Sequence, residues 1–173
     1  FVYCLSIFAQ ASHVIQNNVN RGFSVAVNQG IRWLQNNNAD YLLILNPDAV
    51  LKPGAIKNLL SVLDSSPSIG AVGPKMVDSN NMDVNKGYYL KAPSALTVTF
   101  FSTFLRPWAL KKAWLVGQYE ENLTDRIQDV DQIPGAAIFT SAEKLEAIGL
   151  LSEAFSIWFE DVEWCYRARK KGF

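Results

Sequence analysis

The sequence predicts an α/β fold, a mostly parallel sheet flanked by helices, and three observations carry that prediction. "YLLIL" at 41–45 is a continuous apolar run, the pattern of a strand buried on both faces of a parallel sheet. A helical periodicity lies on each side of it in the chain. A second apolar run, "IGAVGPKMV" at 69–77, continues the alternation of strand, helix, strand, helix, strand that builds parallel sheets.

From the start of the chain, "FVYCLSIFAQ" is apolar and suits strand or helix equally, while "HVIQN" at 13–17 reads as a short strand. In "NVNRGFSVAVNQGIRWLQNNN", Phe23, Val27, Ile31 and Leu34 recur at helical spacing, and Asn36 to Asn38 end the helix. After "YLLIL", Pro53 and Gly54 open a helix with Ile56, Leu59, Leu60 and Leu63 on one stripe. Pro74 closes the strand expected at 69–77. Regularity then fails over 78–131. There the aromatic-rich "SALTVTFFSTFLRPWALKKAWLVG" is broken by Arg106, Lys111 and Lys112, so its uncharged part falls short of the roughly 18 to 20 apolar residues that span a bilayer. Residues 95–116 suit either a subdomain with inward aromatics or an interfacial helix touching a membrane. "IPGAAIFTS" at 133–141 reads as a strand, Ser141 as the N-cap of "AEKLEAI" and Gly149 as its exit. A last helix runs from about Glu160 to Lys171, with Glu163 and Arg167 spaced for an ion pair.

The chain has 173 residues, 49% of them hydrophobic and 18% charged, which suits one core of moderate size. Sixteen basic residues balance sixteen acidic ones, so no global field recruits nucleic acid or an anionic membrane, and any anionic ligand is held locally. Cys4 and Cys165 form no metal-ligand or disulfide pattern. The lone histidine, His13, has no partner motif, and neither a nucleophile-elbow nor a P-loop pattern is present. The chain starts at Phe1 and stops after Gly172 and Phe173, and is expected to be a fragment cut at both ends, its first strand-helix unit missing or incomplete.

Three constellations carry candidate chemistry. Asn46-Pro47-Asp48 ends an apolar strand, where α/β sheets gather ligands. Its oxygens suit a divalent cation, but the same three residues suit a turn, which is the plainer reading of the tripeptide alone. In "FEDVEW", Glu160, Asp161 and Glu163 sit at a helix start, which the helix dipole favours. Delivered by Trp158 and Phe159, a carboxylate there could also remove a proton from a sugar hydroxyl. In "NVNRGFSVAVNQG", Arg21 and Gly22 precede a helix whose free N–H groups could hold a phosphate; capping by Asn20 or Ser24 is the plainer reading.

Together and in this order, "NVNRGFSVAVNQGI", "DYLLILNPDAVLKPGAI", "IGAVGPKM", "IPGAAIFTSAEKLEAIGLLSEAF" and "WFEDVEWCYRARKKGF" resemble the family 2 glycosyltransferases of GT-A (Rossmann-like) fold, in particular their rhamnosyltransferase-like branch. The resemblance runs from about Asn18 to Phe173 outside the irregular middle. It implies one incomplete catalytic domain: 1–77 binding the donor, 78–131 irregular and facing acceptor or membrane, 132–173 carrying catalysis and the acceptor side.

It also implies roles. Asp48 would hold a Mg²⁺ or Mn²⁺ ion at the diphosphate of a nucleotide-sugar donor, with Asn46 at the ribose or a metal-bound water. Asn20, Arg21, Gly22 and Asn28 match the donor-side block, and Gly135 and Ala136 would line the sugar pocket. Asp161 would be the general base, with Glu160 orienting it or binding the acceptor, and Trp164 and Arg167 supporting the acceptor side or the helix itself. Ser152 departs from the Asp common in the family before Glu153. The implied reaction is inverting transfer to a glycan or lipid-linked acceptor in surface polysaccharide synthesis, cytoplasmic and at the inner membrane. A sugar-nucleotide pyrophosphorylase, a truncated sugar-binding domain and a membrane-peripheral scaffold are the rival readings.

Overall fold

The structure, a computed structural model, describes residues 13–78, 80, 127–155 and 158–173. Among them the elements run α1 (Phe23–Asn36), β1 (Tyr41–Leu45), α2 (Ala55–Leu63), β2 (Ala137–Ser141), α3 (Ala142–Ile148) and α4 (Glu160–Lys170). Residues 95–116, and with them the expected membrane contact, lie outside the described residues, as does "FVYCLSIFAQ". No helix among the described residues is long and apolar enough to cross a membrane.

β1 pairs antiparallel with β2, from Tyr41 opposite Ser141 to Leu45 opposite Ala137. Val72 bridges Phe139, also antiparallel, the two exchanging backbone hydrogen bonds of 2.8 and 2.9 Å. Phe139 turns its N–H and C=O to Val72, so β1 must occupy the other edge of β2. β1 and the Val72 segment therefore run the same way, as a strand-helix-strand crossover requires, but β2 lies between them in the opposite direction. The mostly parallel sheet expected from the sequence is not what the described residues form. The physical reason is that apolar runs record burial, and the partner strand's direction leaves no mark in them.

Alternate residues of the sheet enter two clusters. Leu42, Ile44 and Ile138 pack with Phe23, Val27, Ile31 and Leu34 of α1, Leu145 and Ile148 of α3, and Trp164, Cys165 and Ala168 of α4. Leu43 and Phe139 pack instead with Leu59, Leu60 and Leu63 of α2. Both faces of β1 are thus covered, as its unbroken apolar run demands. Ile56, in the first turn of α2, is 53% exposed, so Leu59, Leu60 and Leu63 carry the buried stripe.

Two expected strands change. The 69–77 segment makes the single bridge at Val72 to a described strand; Pro74 has no N–H to extend a ladder. Residues 13–17 lie against α1 through side chains: Asn17 and Gln29 exchange hydrogen bonds of 2.8 and 3.0 Å, and His13 stacks on Trp33 at 4.7 Å.

Ser141 caps α3 by accepting from the Lys144 N–H at 3.2 Å, and Lys144 Nζ donates to the Leu63 carbonyl at the end of α2. Gly149 ends α3 at φ 97°, a conformation that side-chain-bearing residues resist. A Cβ there would also stand 2.8 Å from the Arg167 guanidinium. Gly149→Ala is expected to lower stability by about 1–3 kcal/mol, read as a lower urea midpoint with unchanged slope.

Candidate functional site

Asp161 sits in the first turn of α4 with Glu160 and Glu163, where the helix dipole favours negative charge; Arg167, Arg169 and Lys170 occupy the last turn. The Asp161 carboxylate is held by two backbone donors, Oδ1 accepting from Val162 N and Oδ2 from Gly135 N, each at 2.8 Å. Gly135 and Ala136 form the turn that leads into β2, with the Ala137 N–H donating to the Pro134 carbonyl.

The other constellations reach the same turn. Asn46 N donates to the Ala136 carbonyl at 2.9 Å, extending the β1–β2 ladder by one bond. Ala49 N then donates to the Asn46 carbonyl, so Asn46-Pro47-Asp48-Ala49 is a β-turn with proline at its second position. The turn and the strand-end readings of these residues therefore hold together: the turn leaves Asp48 exposed at the mouth of β1. On the third side, a Cβ built on Gly135 would stand 3.5 Å from both Asp161 Oδ2 and Phe23 Cε1. The start of α1, the end of β1 and the start of α4 thus converge on Gly135 and Ala136.

At the start of α1, Gly22 takes φ 88° and ψ 166°, which suits glycine alone, and its N–H donates to Asn20 Oδ1 at 3.0 Å. Asn20 therefore builds a turn, not a cap. The first turn has no acidic residue and no side-chain cap, and Arg21 beside it is exposed.

Asn28 faces the interior. Expected on the donor side, it is 1% exposed, and its amide is already engaged. Nδ2 donates to the Leu151 carbonyl and to Glu153 Oε1, both at 2.9 Å, and Oδ1 accepts from Leu151 N at 3.0 Å. Both donor hydrogens are used, so Asn28 ties α1 to the 151–153 turn and has none left for a ligand. This tie also gives Glu153 its role beside Ser152. The hydrogen bond from Asn28, then Arg32, holds the Glu153 carboxyl below its usual value. The sequence shows Ser24 and Asn28 as polar residues one turn apart on the inward face of an amphipathic helix, a pattern that does not name their partners.

Glu160 is 7% exposed and its Oε2 has no hydrogen-bond partner among the described residues. Trp164 Nε1 donates to the Gly149 carbonyl, and Arg167 donates to the Ile148 and Leu150 carbonyls while gripping Glu163 at 2.8 and 2.9 Å. Trp164 and Arg167 thus brace α4 against the α3 exit. Cys165 is free and buried; burial pushes its thiol up to about 11, which removes it as a nucleophile.

Residues 7–173 match the family described as glycosyltransferase like family 2. The chain belongs to that family. Membership in family 2 brings with it the GT-A fold, an α/β class that accommodates the crossover and its antiparallel neighbour described above. Among curated proteins, this family 2 chain is 30% identical over 160 residues to the low-salt glycan biosynthesis hexosyltransferase Agl10 of Haloferax volcanii, covering 92% of the chain and 47% of that protein. It is 23% identical over 168 residues to the N-acetylglucosaminyl-diphospho-decaprenol L-rhamnosyltransferase of Mycobacterium tuberculosis, covering 92% of the chain and 54% of that protein. The chain therefore spans about half the length of these curated relatives. No solved structure matches it.

Proposed function

We propose that this domain transfers a sugar, hexosyl or rhamnosyl, from a nucleotide-diphosphate donor to a hydroxyl of a glycan or lipid-linked acceptor, with inversion, in surface polysaccharide synthesis. The observation that carries the reading is the meeting of Asp161, the Asn46–Asp48 turn and the start of α1 at Gly135 and Ala136. Relatives named as hexosyl- and rhamnosyltransferases support it. Donors of this class are cytoplasmic, so the active face belongs in the cytoplasm, beside the inner membrane where a lipid-linked acceptor would lie.

The donor lies on the side of Asn20, Arg21, Gly22, Asn46 and Asp48. Uncapped N–H groups of α1 and the Arg21 guanidinium suit its phosphates. Asp48 and Asn46 offer hard oxygen donors. Among the described residues no three His, Cys, Asp or Glu side chains cluster for a metal, and a cation held by Asp48 would have to draw its remaining ligands from water and substrate phosphate. Mg²⁺ or Mn²⁺, when bound, would neutralise charge developing on the departing diphosphate.

Asp161 removes the proton from the acceptor hydroxyl as its oxygen attacks the anomeric carbon from the face opposite the leaving group. Each Asp161 oxygen spends one acceptor site on a backbone N–H, and an ionised carboxylate has about four such sites, so the base is oriented without being used up. Gly135 and Ala136 line the space between donor and base.

The test is calorimetric titration of the full-length protein with nucleotide sugars, with and without Mg²⁺ or Mn²⁺. Asp48→Ala is expected to weaken donor binding on the order of tenfold or more, about 1.4 kcal/mol, and to make it insensitive to the metal. Metal-dependent binding at wild-type strength in this variant would remove Asp48 from the donor site.

A further inference from the structure

Trp158 and Phe159 precede the proposed base by three and two residues, and neither packing against the described residues nor backbone chemistry explains them. Both have positive φ, 69° and 71°, where bulky side chains are true outliers and glycine or asparagine is favoured. Phe159 is also the N-cap of α4, a position that favours Ser, Thr, Asp or Asn, and makes no side-chain cap. Burial does not compensate: Trp158 is 73% exposed and Phe159 59%. Position 159 thus goes against three preferences at once, and Trp158 against two. Two large rings are displayed to solvent on a strained turn, each α-carbon within about 7 to 11 Å of that of Asp161 along the chain.

We propose that Trp158 and Phe159 form a platform on which the C–H face of the acceptor sugar stacks, setting its hydroxyl at Asp161. An aromatic face is electron-rich and attracts the weakly positive C–H groups of a pyranose ring, while the hydroxyls at the rim stay free to react. An acceptor is chosen over the donor because the rings lead directly into Asp161, whereas the donor side is built from α1 and the β1 turn. The inference rests on the transfer reading above and names the chemistry of its acceptor subsite.

The variants that isolate this role are Trp158→Gly and Phe159→Gly, because glycine relieves the positive φ as it deletes the ring. In the full-length protein both are expected to melt no lower than wild type. The acceptor KM should rise about tenfold, the worth of one aromatic contact, with donor binding little changed. Trp158→Tyr should retain most of the affinity. A second readout, independent of turnover, is saturation-transfer NMR with the methyl glycosides of glucose, galactose, mannose and N-acetylglucosamine: wild type should bind at least one through its ring C–H protons, and the glycine variants should not. Equal acceptor KM and equal glycoside binding in wild type and variants would overturn the platform while leaving glycosyl transfer intact. A wild type that binds no glycoside overturns it as well. Failure of wild type to use any nucleotide sugar would sink the transfer reading, yet ring-dependent glycoside binding would still support the platform. Loss of sedimentation with phosphatidylglycerol vesicles, in place of loss of glycoside binding, would make the pair a lipid contact and overturn the sugar platform.

Discussion

Asp161→Asn is expected to slow sugar transfer by about 10²–10⁴-fold while leaving donor binding near wild type. The factor is the usual worth of a positioned general base. The substitution preserves size and removes the negative charge that draws the acceptor proton. It is not free of structural cost. The carboxylate accepts from two backbone donors, Val162 N and Gly135 N, whereas an asparagine offers one oxygen and must point its NH₂ at the other donor. That mismatch costs about 1 kcal/mol, too little to explain a thousandfold loss of rate. Rate and donor affinity should therefore be measured with the unfolding midpoint. Transfer at wild-type speed in a folded Asp161→Asn protein would assign the proton to another group, with Glu160, whose buried Oε2 has no hydrogen-bond partner among the described residues, the first to examine.

Asn28→Leu is expected to be among the most destabilising substitutions in the chain, at about 3–5 kcal/mol. The side chain fits the buried face of α1, but Leu151 N–H and C=O would lose their partner in a site where Leu151 is 4% exposed. Each unsatisfied buried group costs about 1–3 kcal/mol, against a typical domain stability of about 5–15 kcal/mol. Denaturant unfolding gives the magnitude. Were Asn28 a donor ligand instead, the variant would lose donor affinity and keep its midpoint.

The same variant has a pH signature. The hydrogen bond from Asn28 depresses the folded-state pKa of Glu153, so the tie contributes stability above the unfolded value of the carboxyl and loses it as pH falls through the lower, folded value. Wild type should lose stability at the acid end, below about pH 4, and the decline should be shallower in Asn28→Leu.

The elements that were legible in the chain are those whose cause is local. Phe23, Val27, Ile31 and Leu34 specify α1 by spacing; Asn37 and Asn38 end it, with Asn37 Nδ2 bonding the Trp33 carbonyl and Asn38 at φ 54°. Ser141 caps α3, Gly149 leaves it, and Glu163 meets Arg167 one turn away, all through interactions that span four residues or fewer. The strand expected at 13–17 failed because a strand needs a partner, and this stretch takes side-chain contacts from α1 in place of a ladder. The tie made by Asn28 is not legible in the chain because its partners are more than a hundred residues away. A polar residue facing inward looks the same in sequence whether it waits for a ligand or for a distant turn.

The sequence by itself determined where α1 ends, where α3 starts and stops, that β1 is covered on both faces, and that acidic side chains stand at a strand end and a helix start, because each depends on neighbours within a few positions. Only the tertiary structure decided that β2 runs antiparallel between β1 and Val72, and that its leading turn gathers the other elements: Gly135 N reaches Asp161 and the Ala136 carbonyl receives Asn46 N. Backbone hydrogen bonds make these junctions, and every residue but proline offers the same N–H and C=O, so nothing in the side chains announces which pair will meet.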